Sequence, residues 1–274
     1  MTIEELLIFG KSHCHSEHAK ILLAELLNKN SLELLTCLNE TIPKDKVELY
    51  KKEIKALEEG KPLQYVMGYV NFYGNEFDVD ERVLIPRFET EELVENTINY
   101  INDFFTEPVE IIDLGCGSGA IGLSLEKKVS TKSVDLVDIS EEALEVAHKN
   151  CGKLNSNANL IKSDFFSNIE KKYDVIISNP PYIETNEEIE EIVKNNEPHL
   201  ALYGGDDGLD CYRKILANIK NHMKEKCLIA FEIGYKQASA IETLVREYLD
   251  DIKLTIKKDL SGKDRMIFIF KNLV

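Results

Sequence analysis

Two short stretches hold the residue types from which chemistry could be built. The first is DLGCGSGAIG, residues 113–122, where Gly115, Cys116, Gly117, Ser118 and Gly119 follow an apolar run. Glycines let a chain turn sharply and bring its backbone against a ligand. A loop of this kind, set between a strand and a helix, suits a nucleotide-like cofactor. Gly117, Gly119 and Gly122 also satisfy Gly-x-Gly-x-x-Gly, a dinucleotide fingerprint that alone does not choose the cofactor. Asp138 closes the next apolar run, nineteen residues beyond Gly119. An acid there can bind the ribose hydroxyls of a dinucleotide or of S-adenosylmethionine. Asp113 could orient the loop or face a cationic ligand.

The second stretch is YDVIISNPPYI, residues 173–183. Asn179 brings one acceptor oxygen and two donor hydrogens. Pro180 and Pro181 fix φ and lack N–H groups, so the Pro180 carbonyl can stand rigidly as an acceptor. Tyr182 supplies a flat face. Together they make a clamp for a planar NH2 group. The Asn179 oxygen and the Pro180 carbonyl take its two hydrogens and leave the lone pair aimed at an electrophile. Such bonds favour the pyramidal nitrogen of the transition state over the flat ground state. Alignment with a methyl donor adds proximity. No strong general base is required if the proton leaves after attack. A plain rigid turn after a core strand is the competing account; the glycine loop and Asp138 ahead of it favour the clamp. Hydride transfer gives no reason for this tip, so it favours S-adenosylmethionine over a dinucleotide.

Both stretches need a scaffold. From residue 89 onward strand-like runs alternate with helical ones: 110–114, 133–138, 159–164, 173–178, 227–233, 252–257 and 265–270. That rhythm predicts a mostly parallel sheet covered on both faces. The turn-rich KDLSGKD leaves no room for a helix before the last strand, which is expected to be antiparallel. Ser140 is placed to cap the helix that opens EEALEVA, with Glu141 and Glu142 at its positive end. Residues 1–60 show helical spacing in AKILLAELLNKN and KVELYKKEIKALEEG, closed by Gly60. QYVMGYVNFYGNEFDVDERVLIPR reads as a hairpin or extended linker. The resulting division is a helical domain over 1–70, a hairpin or linker over 71–88 and an α/β domain over 89–274.

Composition narrows the partners. The chain has 274 residues, with 49 acidic against 33 basic, a formal charge of −16 and no long basic run. A phosphate backbone is a poor match for that balance, and a basic protein partner a better one. No apolar run approaches a membrane span, and MTIEELLIFG lacks the marks of a secretory signal, so a cytoplasmic location is expected. Six cysteines without a CxxC pair argue for reduced thiols. His13, Cys14, His15 and His18 in KSHCHSEHAK read as a solvated helix start rather than a metal site. EEIEEIVKNNEP reads as an exposed acidic helix near the pocket mouth. His199 is assigned a structural role, and Phe72, Tyr73 and Phe77 packing between domains.

At this point a resemblance emerges. Asn-Pro-Pro-Tyr after the fourth strand is similar to the S-adenosylmethionine-dependent amino-methyltransferases, which act on DNA adenine, ribosomal RNA guanine or protein glutamine. VLIPRFETEELVE, DLGCGSGAIGLSL, ISNPPYI, EPHLALYGGDDGL, FEIG and DLSGKDRMI together resemble the HemK/PrmC family across nearly the whole chain. The resemblance implies a seven-stranded, mostly parallel, Rossmann-like class I methyltransferase domain with a small N-terminal helical domain. It implies methylation of the glutamine side-chain amide in the Gly-Gly-Gln motif of class I peptide-chain release factors, which tunes translation termination. S-adenosyl-L-methionine would be consumed and S-adenosyl-L-homocysteine released. By position, Gly115 to Gly119 and Asp138 would bind the cofactor, and Phe165 would pack near its adenine. Asn179 would touch cofactor and glutamine, with Pro180, Pro181 and Tyr182 completing the pocket. Phe88 departs from the family, which usually has proline there. Two other readings stay open: a nucleic-acid amino-methyltransferase that flips its base into the same pocket, and a non-catalytic S-adenosylmethionine-binding module.

Overall fold

A computed structural model describes residues 1–273. The chain divides into two compact units, one formed by Met1–Gly68 with Glu190–Asn196, the other by Tyr69–Ile189 and the residues from Glu197 onward.

The first unit is helical: α1 (Ile3–His13), α2 (Ser16–Leu27), α3 (Ser31–Thr36), α4 (Lys44–Glu58) and α5 (Leu63–Met67). Capping boxes start two of them, Thr2 with Glu5 and Asn30 with Glu33, each filling donors that a helix end leaves open. Val47, Tyr50 and Ile54 share the buried face of α4 and meet Ile3, Leu6, Leu22 and Leu23 in one core. The Tyr50 hydroxyl donates to the Ala19 carbonyl at 3.0 Å, which satisfies the polar end of a buried ring.

The second unit begins with an antiparallel hairpin, β1 (Tyr69–Phe72) and β2 (Asn75–Asp78), then α6 (Phe88–Phe104). There follow β3 (Val109–Leu114), α7 (Ala120–Lys128), β4 (Thr131–Asp138), α8 (Glu141–Lys153), β5 (Asn159–Lys162) and β6 (Tyr173–Ser178). The helix α9 (Glu191–Asn196) belongs to the first unit. The fold closes with α10 (Asp210–His222), β7 (Met223–Glu232), α11 (Ala238–Tyr248), β8 (Ile252–Lys258) and β9 (Asp264–Lys271).

Seven strands form one sheet in the order β5-β4-β3-β6-β7-β9-β8. All neighbours are parallel except β9, which runs antiparallel to both β7 and β8, as its turn-rich approach predicts. Alternate residues feed opposite faces. Val175, Ile177, Leu228 and Ala230 join one core with α6 and α7 residues; Ile176, Ile229 and Phe231 join the other with α10 and α11 residues. The chain order turns around at β3, with β4 on one side and β6 on the other. That is where open α/β sheets hold ligands, beyond the carboxyl ends of the strands.

Three local expectations change. The acidic segment is helical only over Glu191–Asn196 and clusters with the first unit. Phe72 and Phe77 are core residues of the second unit, edge to face at 6.0 Å, because the hairpin packs beside α8 and turns its apolar side into the core shared with α6 and the sheet. β7 starts four residues before its apolar run, at Met223, where Lys224 pairs with Glu110 of β3 and Asp174 of β6. No helix among the described residues is long and apolar enough to cross a membrane.

Candidate active site

β3 and β6 are paired, Asp113 opposite Ile177, so the glycine loop and the Asn-Pro-Pro-Tyr tip leave the sheet side by side. The Ser178 hydroxyl donates to the Leu114 carbonyl and ties the two strand ends together. The amides of Gly115 and Cys116 both donate to the Val137 carbonyl, at 2.8 and 2.9 Å, which folds the loop back over β4. Gly115 and Gly117 have φ of +72° and +54°, and a Cβ at either would meet nothing within 4 Å. Their backbone therefore faces open space. Gly119 has φ +81° and packs inward, where a Cβ would press on Leu123 and Leu136.

Two carboxylates stand under this loop. Asp138 accepts from the Gly117 and Ser140 amides, each at 2.9 Å, and a carboxylate has capacity for more. Burial raises its pKa. Asp113 accepts from the Gly122 amide at 2.9 Å, while its Oδ1 is buried without a partner. Burial, a cost only partly offset by that bond and increased by the nearby Asp138, lifts the Asp113 pKa to about 7. Cys116, buried beside both acids, has its thiol pushed well up, so it is no nucleophile. Phe165 stands at φ +47°, an uncommon state for a bulky residue, and packs on the second core. Open glycine backbone, an acid with spare acceptor capacity and an unfilled carboxyl oxygen fit a cofactor that carries hydroxyls and a cationic group.

The tip is gripped from several sides. Pro180 is buried, and Asn179 and Tyr182 are half-buried. The Gln237 side-chain amide donates to the Tyr182 carbonyl at 2.9 Å. Gly204 and Gly208 pass so close that a Cβ would lie 2.5 Å from the Pro181 carbonyl oxygen and 2.3 Å from that of Tyr182. The Asn179 Nδ2 donates to Thr90 Oγ1 at 3.3 Å, and Thr90 Oγ1 donates to Glu232 Oε2 at 2.6 Å. The Tyr182 hydroxyl reaches Glu232 Oε1 at 3.3 Å. Nearby, Arg87 pairs with the buried Glu197, which also accepts from the Ile85 amide.

Residues 15–68 match the PrmC N-terminal domain family and residues 74–205 the Methyltransferase small domain family. The chain is 40% identical over 263 residues to the release factor glutamine methyltransferase of Bacillus subtilis (strain 168), covering 93% of this chain and 91% of that protein. The chain belongs to the release factor glutamine methyltransferase family. The member from Streptococcus pneumoniae is 38% identical over 269 residues, covering 97% of this chain and 94% of that protein. A methyltransferase structure from Pyrococcus furiosus shares the fold at 21% identity and a TM-score of 0.53, covering 72% of this chain and 89% of that one.

The methyltransferase fold brings Gly115 to Gly119, Asp138 and Asn179 to Tyr182 to the same end of the sheet. Phe165 follows β5, which pairs with β4, so its strand is one removed from β3. Sequence patterns assign no role to Thr90, Asn150, Glu232 or Gln237. Asn150 bridges the Ser118 carbonyl, at 2.9 Å, to the backbone of Asp78 and so ties the hairpin to the glycine loop. Glu232 had a readable signal: an acid ending the apolar run CLIAFE at the same rim as Asp138. Asn150 and Gln237 lie far from the loops in sequence and carry no local pattern, and Thr90 stands in the VLIPRFETEELVE stretch, where its partners are not visible. His199 lies in the 3-10 turn His199–Ala201 with its ring edge-on to Tyr203 at 5.6 Å. His13 Nδ1 is 2.8 Å from the Phe9 carbonyl, and His15 precedes α2. No group of three or more His, Cys, Asp or Glu residues able to hold a metal occurs among the described residues.

Proposed function

We propose that this protein transfers a methyl group from S-adenosylmethionine to the side-chain amide nitrogen of the glutamine in the Gly-Gly-Gln motif of class I peptide-chain release factors. The observation that carries the reading is the Asn179–Tyr182 tip beside the open glycine loop, in a chain of this family. S-adenosylmethionine supplies an electrophilic methyl group on a sulfonium sulfur. Gly115 to Gly119 would offer it backbone, Asp138 would accept from its ribose hydroxyls, and Phe165 would pack near its base. Asn179 Oδ1 and the Pro180 carbonyl accept the two amide hydrogens of the substrate. They hold its lone pair toward the methyl carbon and favour the pyramidal nitrogen. The cofactor's sulfonium would supply the methyl group and keep the bonding pair, and Asn179 and Pro180 would hold the nitrogen until its extra proton passes to water. The substrate places the reaction in the cytoplasm.

Methyl transfer from labelled S-adenosylmethionine to a purified class I release factor, beside the same factor with its Gly-Gly-Gln glutamine changed to alanine, tests this. Label in the native factor alone is expected. Label in neither, with label in DNA or ribosomal RNA, overturns the substrate assignment.

The helical unit supports recognition of the whole factor. Leu32 and Leu35 project from α3 at 76% and 59% exposure, an apolar pair with no role in the core. L32E/L35E is expected to raise KM for whole release factor at least fivefold and leave a short Gly-Gly-Gln peptide unaffected. Equal effects on both substrates would remove the helical unit from recognition.

A further inference from the structure

The clamp works only one way round. Asn179 has an oxygen and an NH2 of nearly equal size, and a substrate NH2 needs the oxygen. If the amide turns over, two NH2 groups face each other and neither accepts. Something must decide between the two orientations.

Thr90 sits where that decision is made. Its hydroxyl has a single hydrogen, which is given to Glu232 Oε2 at 2.6 Å. A carboxylate can only accept. With that hydrogen committed, Thr90 Oγ1 has only lone pairs left for Asn179, 3.3 Å away. The Asn179 group facing it must then be the NH2, which turns Oδ1 the other way. The chain Asn179 NH2 to Thr90 hydroxyl to Glu232 carboxylate thus has a fixed polarity.

We propose that Thr90 and Glu232 are positioning residues that lock the Asn179 amide with its oxygen toward the substrate nitrogen. The inference rests on the amide-methylation reading above. Its components come from separate elements. Thr90 lies in the first turn of α6, Asn179 follows β6, and Glu232 ends β7. The charges and titratable groups around Glu232 are Arg265 of β9, Glu89 of α6 and the hydroxyl of Tyr182, while the Tyr212 hydroxyl of α10 holds its backbone carbonyl at 2.7 Å. Arg265 is itself held by Asp259 at 3.2 Å.

The lock depends on charge at Glu232. Once Glu232 carries a proton it can donate to Thr90. The Thr90 hydroxyl is then free to donate to Asn179 Oδ1, and the amide can turn over. Burial holds the Glu232 pKa above the ordinary glutamate range, against the opposing effects of Thr90, Arg265 and Tyr182. The acid limb of the rate profile should therefore lie above where an exposed glutamate titrates. Gln at this position can meet Thr90 with either its oxygen or its NH2, so it permits both orientations.

The experiment compares wild type, T90V, T90S, E232Q and the double variant T90V/E232Q in labelled methyl transfer to release factor across pH. T90V and E232Q are each expected to lose at least twofold in kcat, the loss when both amide orientations are equally populated, with T90S recovering most of the T90V loss. The double variant should lose no more than the worse single one, because both break the same lock. The acid limb of wild type should vanish in E232Q. A second readout needs no substrate: the side-chain amide resonances of Asn179, assigned by their absence in N179D, should move with pH in wild type and stay fixed in T90V and E232Q. Wild-type rates and a retained acid limb in E232Q, with Asn179 resonances that ignore pH, would overturn the lock. If wild type labels no release factor but the Asn179 resonances still titrate through Thr90, the substrate assignment fails and the lock stands.

Discussion

β3, β6 and β7 run side by side from one rim of the sheet to the other, and the two rims treat carboxylates in opposite ways. At the amino ends, Glu110 opens toward Lys224 at 2.6 Å and Lys171 at 3.2 Å, and Lys224 also meets Asp174 at 2.6 Å. Burial alone would raise the Glu110 pKa, but the bonds from Lys224 and Lys171 hold it below the usual value. At the carboxyl ends, Asp113, Asp138 and Glu232 are all raised, with burial the leading cause in each. None of the three forms an ion pair among the described residues. The chain supplies its own cations to one rim and leaves the buried acids of the other without one. A buried acid without a neutralising cation is costly to the fold, and acids left in that state mark a ligand site.

The largest expected effect separates the rims by function. N179A should lower methyl transfer by about a hundredfold or more, the scale on which one preorganised hydrogen-bonding group acts. Its urea midpoint should barely move. K224M at the opposite rim should do the reverse, with turnover within twofold of wild type and stability down by about 1 kcal/mol, since the lysine is partly exposed and Lys171 remains. A large rate loss in K224M would show that the amino-end rim is coupled to catalysis and would end the contrast.

Titration gives the next effect, with opposite signs at the two rims. Asp113 titrates near 7 when folded against 3.8 ordinarily, so between those values the folded state binds more protons than the unfolded one. Stability therefore falls as pH rises from about 4 to about 7 and then levels off. Glu110 is lowered from 4.5, so its contribution is complete above that value and is lost as pH falls through the folded pKa. Urea midpoints from pH 3 to pH 8 should lose the neutral-side slope in D113N and the acid-side slope in E110Q. A D113N curve parallel to wild type between pH 4 and pH 7 would mean that Asp113 is paired and ionised.

The rims also differ in how much the sequence reveals of them. The carboxyl-end loops are legible because their chemistry is local: three glycines in five residues, two prolines after an apolar strand, one acid at a strand end. The alternating strands and helices were legible for the same reason, through apolar runs punctuated by turns. Thr90 and Glu232 stand 142 residues apart, and Asn150 lies 72 residues from Asp78, so only the folded sheet brings each pair together. The same is true of Glu110, which meets Lys171 and Lys224 from two other segments. Phe72 and Phe77 look like interface aromatics in isolation. They belong to a core because α8 packs beside the hairpin and the sheet's core takes in its apolar side, a fact of tertiary packing.

The smallest prediction concerns the one departure from the family's motif, at the entrance to α6. Arg87 is the residue before the helix, with φ −97° and ψ 153°, which is the extended conformation that a residue preceding proline prefers. Phe88 is the first helical residue, where an N–H has no intrahelical partner and proline is favoured. Its ring is 63% exposed. The Thr90 amide closes on the Arg87 carbonyl at 3.1 Å, so the helix starts in place without proline. F88P should therefore stabilise the protein by about 0.4–1 kcal/mol, by restricting the unfolded chain rather than by adding a contact. Because Thr90 follows two residues later, a stiffer helix start should leave the Asn179 lock and kcat unchanged. A rise in KM for release factor with kcat and stability as expected would assign the exposed Phe88 ring to substrate contact, and would extend the ligand-facing character of the carboxyl-end rim outward along α6.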